Sequence, residues 1–155
     1  MGAMVYIFDS NIFINLHRRQ PIDVYPSVWE KIDDLMKKGT IISSHEVFDE
    51  IVIGDDMLVE WAKQRKEFFV QSEPNIQNRV RIILKDHRAL VEGGKKKNNA
   101  DPFVIALAQE YGGKIVTEEV RSNSIQAPKI PNICDIYQIE CMDFVGFSRE
   151  MKLAF

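Results

Sequence analysis

Four acidic residues sit at the ends of the short apolar runs in this chain, and their placement restricts the fold more than any other feature. Asp9 closes the run at 5–8. Glu50 lies in the helical stretch that follows the run at 40–42. Asp101 opens the run at 103–108, and Glu119 follows the run at 114–117. In a parallel α/β sheet the carboxyl ends of the strands face a common crevice, where ligands bind. Four carboxylates in one crevice repel each other and are costly to desolvate. A hard divalent cation removes that cost, and Mg²⁺ is commonly held by a few carboxylates and water. The pattern therefore implies a parallel sheet that gathers acids for metal-dependent chemistry on phosphate esters.

The remaining elements fit this scheme. Residues 5–8 predict a short buried strand and 10–19 a helix, with Ile12, Phe13 and Leu16 on one side and Pro21 beyond its end. Val28, Trp29, Ile32, Leu35 and Met36 keep helical spacing up to Gly39, and a second strand is expected at 40–43. Helices are then expected over 45–53, 57–69 and 76–91, with no strand among them, as a helical arm packed over one end of the sheet. Pro102 suits the first turn of a helix whose run 103–108 is apolar on every side, so that helix is expected to be buried. Gly112-Gly113 stops it before a third strand at 114–117. A loop over 120–129, a turn or helix over 130–137, a last strand at 138–142 and a terminal helix over 143–151 complete the reading. Strands alternating with helices imply right-handed crossovers and a parallel sheet.

Composition limits the alternatives. A chain of 155 residues is expected to form one domain over 4–155, with Met1-Gly2-Ala3 reading as a cloning scar ahead of Met4. No apolar stretch approaches the roughly 20 residues of a membrane helix, and the first run is too short for a signal peptide, so a cytoplasmic location away from membranes is expected. Cys134 and Cys141 make neither a disulfide framework nor a complete zinc site, and are read as reduced thiols. The net charge of −3 advertises no global basic field. Local basic stretches at His17-Arg18-Arg19, Lys37-Lys38 and Lys95-Lys96-Lys97 can still hold phosphates. The lysines Lys95, Lys96 and Lys97 precede Asp101 directly and are the expected contacts to a phosphate backbone.

Taken singly, the acids have plainer explanations. Asp9 and Asp101 would each cap a helix, Glu46 and Glu50 would share a solvated helical face, and Glu118-Glu119 would make an exposed turn. Their order is more specific. The sequence Phe8-Asp9-Ser10-Asn11-Ile12-Phe13-Ile14 resembles the opening motif of PIN-domain nucleases. A haloacid-dehalogenase-type phosphatase would require a second Asp where Asn11 stands, and a response-regulator receiver would require an acidic pair after the first strand. Ser44-x-x-Val47-x-x-Glu50 resembles the second PIN motif and Ala100-Asp101-x-x-x-x-Ala106-x-Ala108 the third. Val116-Thr117-Glu118-Glu119 resembles the fourth, usually Thr-x-Asp, with a Glu in place of the Asp and either Glu118 or Glu119 as its acid. The resemblance runs from Tyr6 to the final helix.

That resemblance implies a three-layer α/β/α sandwich and hydrolysis of RNA phosphodiester bonds with Mg²⁺ or Mn²⁺. It implies Asp9, Glu50, Asp101 and Glu119 as the catalytic and metal-holding acids, Ser10, Asn11 and Thr117 as their polar supports, and Asn123 as a further polar residue near the site. It implies 3′-hydroxyl and 5′-phosphate products from single-stranded or looped RNA. Small PIN proteins resemble the VapC-type toxin nucleases of toxin–antitoxin modules, which implies a protein antitoxin as partner, and related domains often form homodimers. The Glu at the fourth motif leaves open a different class: a degenerate member that binds RNA or protein without cleaving.

Overall fold

The computed structural model describes residues 3–54, 56–92, 100–124 and 126–155. The expected RNA contacts Lys95, Lys96 and Lys97 lie outside the described residues. The order of elements is β1 (Tyr6–Phe8), α1 (Ser10–Arg19), α2 (Pro26–Lys37), β2 (Ile41–Ser44), α3 (His45–Ile51), α4 (Met57–Lys63), β3 (Phe69–Val70), α5 (Pro74–Asp86), α6 (Ala89–Glu92), α7 (Asp101–Tyr111), β4 (Lys114–Val116), α8 (Ile130–Tyr137), β5 (Cys141–Met142) and α9 (Phe144–Glu150).

The strands form one parallel sheet in the order β3-β2-β1-β4-β5, so the chain starts in the centre and fills first one side and then the other. The change of direction falls between the neighbouring strands β1 and β4. That is the position at which open α/β sheets leave a crevice. Tyr6 and Phe8 point to one face of β1, where the rings of Phe147 and Phe13 meet them, and alternation sends Ile7 to the other. Helix α7 packs across β1, β2 and β4, α2 against β2, and α9 against β5. Helices thus cover the sheet in the three-layer α/β/α arrangement expected. Helix α7 is buried on nearly all sides, from Asp101 to Ala108, as its unbroken apolar run required.

The segment expected to hold helices alone is different. A single helix over 57–69 does not form: α4 ends at Lys63, a 3₁₀ turn covers Lys66–Phe68, and Phe69–Val70 pair with Ser43 and Ser44 as the edge strand β3. Arg65 draws the chain out of the helix. Its Nε donates to Asp33 Oδ1 at 2.7 Å, its guanidinium reaches the carbonyl of Trp61, and its charge lies over the Trp61 ring. Phe69 can then bury its ring against Phe13 and Phe48. The arm is also divided. Helices α3 and α4 pack on each other and on α1, whereas α5 lies along α7. Helix α5 stops at Asp86, short of the expected 91, with His87 as its C-cap and the short α6 beyond. Helix α8 does form over Ile130–Tyr137, and the last strand shrinks to Cys141–Met142. Both cysteines are free thiols.

Candidate metal centre

Asp9 follows the last residue of β1. Its backbone N–H donates to the carbonyl of Val116, which continues the sheet by one bond. Its side chain caps α1 by accepting from the N–H of Ser10 at 2.8 Å through Oδ1. Its other oxygen, Oδ2, accepts from Asn11 Nδ2 at 3.0 Å and from Thr117 Oγ1 at 2.8 Å. The same two residues lace the turn after β4 to the turn after β1. Asn11 Oδ1 accepts from the N–H of Glu118, and Thr117 Oγ1 from the N–H of Glu119. This fixes which glutamate faces the crevice. Glu119 turns inward and accepts from the N–H of Ile130, while Glu118 turns away to accept from the N–H of Phe144 at the start of α9.

Asp101 is the first residue of α7, and Ala100 takes the cap position. The side chain of Asp101 is therefore not spent on capping. It is 4% exposed, and its Oδ2 is buried with no hydrogen-bond partner. Asp9, Asp101 and Glu119 each present one carboxylate oxygen within 4.8 Å of the others, the one such group among the described residues.

Glu50 stands outside this group. On α3, whose first turn Ser44 caps, it accepts from Ser10 Oγ at 2.8 Å and from the N–H of Ala100 at 3.2 Å. It ties α1 to the residue before Asp101 and borders the same pocket. Ser10, expected to support Asp9 with its side chain, gives its hydroxyl to Glu50 instead. Asn11 and Thr117 do support Asp9.

Burial sets the protonation of the group. Asp9 is pushed up to about 7, first by desolvation and then by the charge of Glu119. Asp101 is pushed up to about 10, again by desolvation first, then by Asp9, Glu119 and Glu50. Glu119 is raised mainly by burial. Such shifts show how poorly the protein alone accommodates these charges. The acids form the floor of a pocket of about 340 Å³ whose rim includes Asn15, Arg18 and Lys129. Lys129 counters part of the upward shift on Asp101 and Glu119. It carries no sequence signal, because it stands in an aperiodic loop and is held beside the pocket by the Ile130–Glu119 contact and its own N–H bond to Asn132. Asn123 lines a different cavity. None of His17, His45 and His87 borders the acid pocket.

The donor set suits a hard divalent cation. It consists of three carboxylates, buried to a degree that disfavours their charges, and one of them has an oxygen lacking any protein partner. Oxygen-only sites of this kind favour Mg²⁺ or Mn²⁺ over the softer metals that take Cys or His.

The parallel five-stranded sheet with its acids gathered beside the central strand has the PIN-like α/β architecture that the sequence motifs implied. The chain belongs to the family described as Domain of unknown function (DUF4411), whose model matches residues 6–155. Its fold is also that of a solved structure described as VapBC2 from Rickettsia felis bound to a DNA fragment from their promoter. The TM-score is 0.56 at 16% identity, and the match covers 91% of this chain and 99% of that one. No curated protein matches the chain.

Proposed function

We propose that the protein is a metal-dependent endoribonuclease of the VapC type, the toxin of a toxin–antitoxin pair. The observation that carries this reading is the group formed by the buried Asp9 and Asp101 and the half-buried Glu119, three carboxylates with oxygens within 4.8 Å and too little positive charge beside them. These three would hold Mg²⁺ or Mn²⁺. When bound, the cation supplies Lewis acidity toward the phosphate and offsets the carboxylate charge that would otherwise repel it. The chain's own residues do the positioning. Asn11 and Thr117 fix the oxygens of Asp9, and Glu50 anchors the residue before Asp101. Arg18 and Lys129 stand on the rim, where they would hold the phosphates flanking the scissile one. The Glu at the fourth motif leaves a non-cleaving RNA- or protein-binding member as the alternative; the place of Glu119 within the group favours the nuclease.

Support for the biological role is the fold shared with a VapBC2 chain. A toxin nuclease requires an inhibitor, and an Arg or Lys from an antitoxin could pair with the acid group and exclude the cation. The activity test is incubation of purified protein with single-stranded RNA in Mn²⁺ or Mg²⁺, followed by sequencing of new 5′ ends. Cleavage should stop on chelation and in Asp101→Asn. No cleavage in either metal, or full activity in Asp101→Asn, would remove the proposal.

A further inference from the structure

A second cavity, of about 390 Å³, lies at the corner between α5 and α6 and against α8. One side is apolar: Ile133 is buried, and Ile136 is 60% exposed, on the surface turned to solvent. Another side carries the ring of His87, held in place by an edge contact with Tyr137 at 5.5 Å between centroids. The mouth carries the amides of Asn123 and Asn132. These two amides differ. Asn132 is committed to the framework: its Oδ1 accepts from the N–H groups of Ser122 and Lys129, and its Nδ2 donates to the carbonyl of Ser122. Asn123 is exposed, and its side-chain donor and acceptor have no partner among the described residues.

The bonds of Asn132 also join this cavity to the acid pocket. The chain from 119 to 124 forms the wall between them, fixed at one end by the Ile130–Glu119 contact and at the other by the Asn132–Ser122 pair. Lys129 faces the acid pocket, and Asn132 and Ile133, within one helical turn of it, face the second cavity. A cavity with an apolar side, the His87 ring and one unpaired amide, bordered also by Asp86 and Arg88 and lying near Lys129 and a phosphate-handling site, offers groups that single-stranded RNA binding uses. Unpaired bases are splayed out, stacked on rings or apolar side chains, and hydrogen-bonded along an edge.

We infer that this cavity holds an unpaired base of the RNA, next to the phosphate over the acid group, and that Asn123 reads its edge. The inference rests on the ribonuclease reading above and adds a source of sequence preference to it. Lys129 spans the two sites as the contact to the intervening phosphate, and Ile136 forms the stacking wall.

The test has two arms. In the first, wild type, Asn123→Ala and Ile136→Ser cleave a pool of single-stranded RNAs randomised around the cut site. Wild type should prefer particular bases at one position beside the cut. Asn123→Ala should lose about tenfold of that discrimination, as expected for one lost hydrogen-bonded pair, while Ile136→Ser raises KM more than it lowers kcat. In the second arm, Asp101→Asn protein binds a short oligoribonucleotide carrying 2-aminopurine at that position, or at each position in turn if no cleavage is seen. Fluorescence should change on binding, and the change should be lost when Asn123→Ala or Ile136→Ser is added. Thermal melts establish that the variants are folded. Active wild type with an unaltered base profile in both variants overturns the base subsite and leaves the nuclease standing. Inactive wild type whose oligonucleotide signal still depends on Asn123 and Ile136 sinks the nuclease reading and keeps the subsite. Absence of that signal from every labelled position overturns the subsite. So does the same signal in both variants, which would mean that the cavity takes something other than RNA.

Discussion

At the scale of single residues, Asp9 and Asp101 are both aspartates of the same group but have different surroundings, and they should respond differently to the same substitution. Asp9 Oδ2 accepts from two donors, Asn11 Nδ2 and Thr117 Oγ1. An Asn at position 9 would turn its own N–H toward one of them. Asp101 Oδ2 has no partner to lose. Asp101→Asn should therefore abolish cleavage, by about a hundredfold or more if its oxygen is needed to hold the metal. In a chelator it should melt at a higher temperature than wild type, because a carboxyl that burial and its neighbours force to take up a proton on folding is replaced by a neutral amide. Asp9→Asn should be as inactive but gain less stability. Thermal melts in EDTA beside cleavage assays check both, and a destabilised Asp101→Asn would contradict the account. The acids were legible in the sequence because they end apolar runs, a pattern that depends on chain order alone. The choice between Glu118 and Glu119 was not, since both lie in one turn and the Thr117 hydroxyl decides between them. Lys129 was invisible for a similar reason: hydrogen bonds of Ile130 with Glu119 and of Lys129 with Asn132 bring it to the pocket from an aperiodic loop.

At the scale of elements, the join between α7 and β4 determines how the third acid-bearing turn meets the first. Gly112 ends α7 in the left-handed conformation, with φ of 61°. At Gly113 an added Cβ would lie 2.6 Å from both the carbonyl oxygen of Val5 and Cδ1 of Ile7. Backbone this close cannot move without disturbing the pairing of β1 with β4, and with it the registration of Asp9 against Thr117. Gly113→Ala should cost roughly 2 kcal/mol or more. Gly112→Ala has open space and should cost about 1 kcal/mol, from its positive φ alone. Urea unfolding curves check both; equal costs would show that the close approach is not tight. The long helices were readable because their apolar spacing repeats over several turns. Strand β3 was not, because two residues, Phe69 and Val70, cannot display a period. Its existence depends on Arg65 pairing with Asp33, more than 30 residues earlier.

At the scale of the whole molecule, the acid group makes the protein depend on what occupies it. If the toxin reading holds, wild-type expression without a partner slows bacterial growth and Asp101→Asn does not; equal growth at matched protein levels counts against that role. The stability of the purified protein offers a test that needs no substrate. Asp9, Asp101 and Glu119 have folded-state pKa values above the ordinary carboxylate range. The folded state therefore binds protons more tightly than the unfolded state. By linkage, the stability this confers is complete below about pH 4, the unfolded value, and is lost as pH rises through the folded values of about 7 for Asp9 and about 10 for Asp101. The acids that salt bridges and hydrogen bonds hold low, among them Asp33, Glu110, Asp135 and Glu150, exert their opposite effect below the ordinary carboxylate range. Tyr6, raised to about 12, acts only above pH 10. Glu46, raised by burial, and Cys141, lowered by its hydrogen bond with Cys134, can also contribute between pH 5 and 8, so the acid group is read there from the difference between wild type and Asp101→Asn. In EDTA the melting temperature should fall across that interval, and in Asp101→Asn it should fall less. Mn²⁺ or Mg²⁺ should offset the decline increasingly toward pH 8, because a cation binds the ionised group and stabilises only the folded state. A melting temperature that rises from pH 5 to 8 in EDTA, or that Mn²⁺ leaves unchanged at pH 8, would mean that these carboxylates are not a metal site.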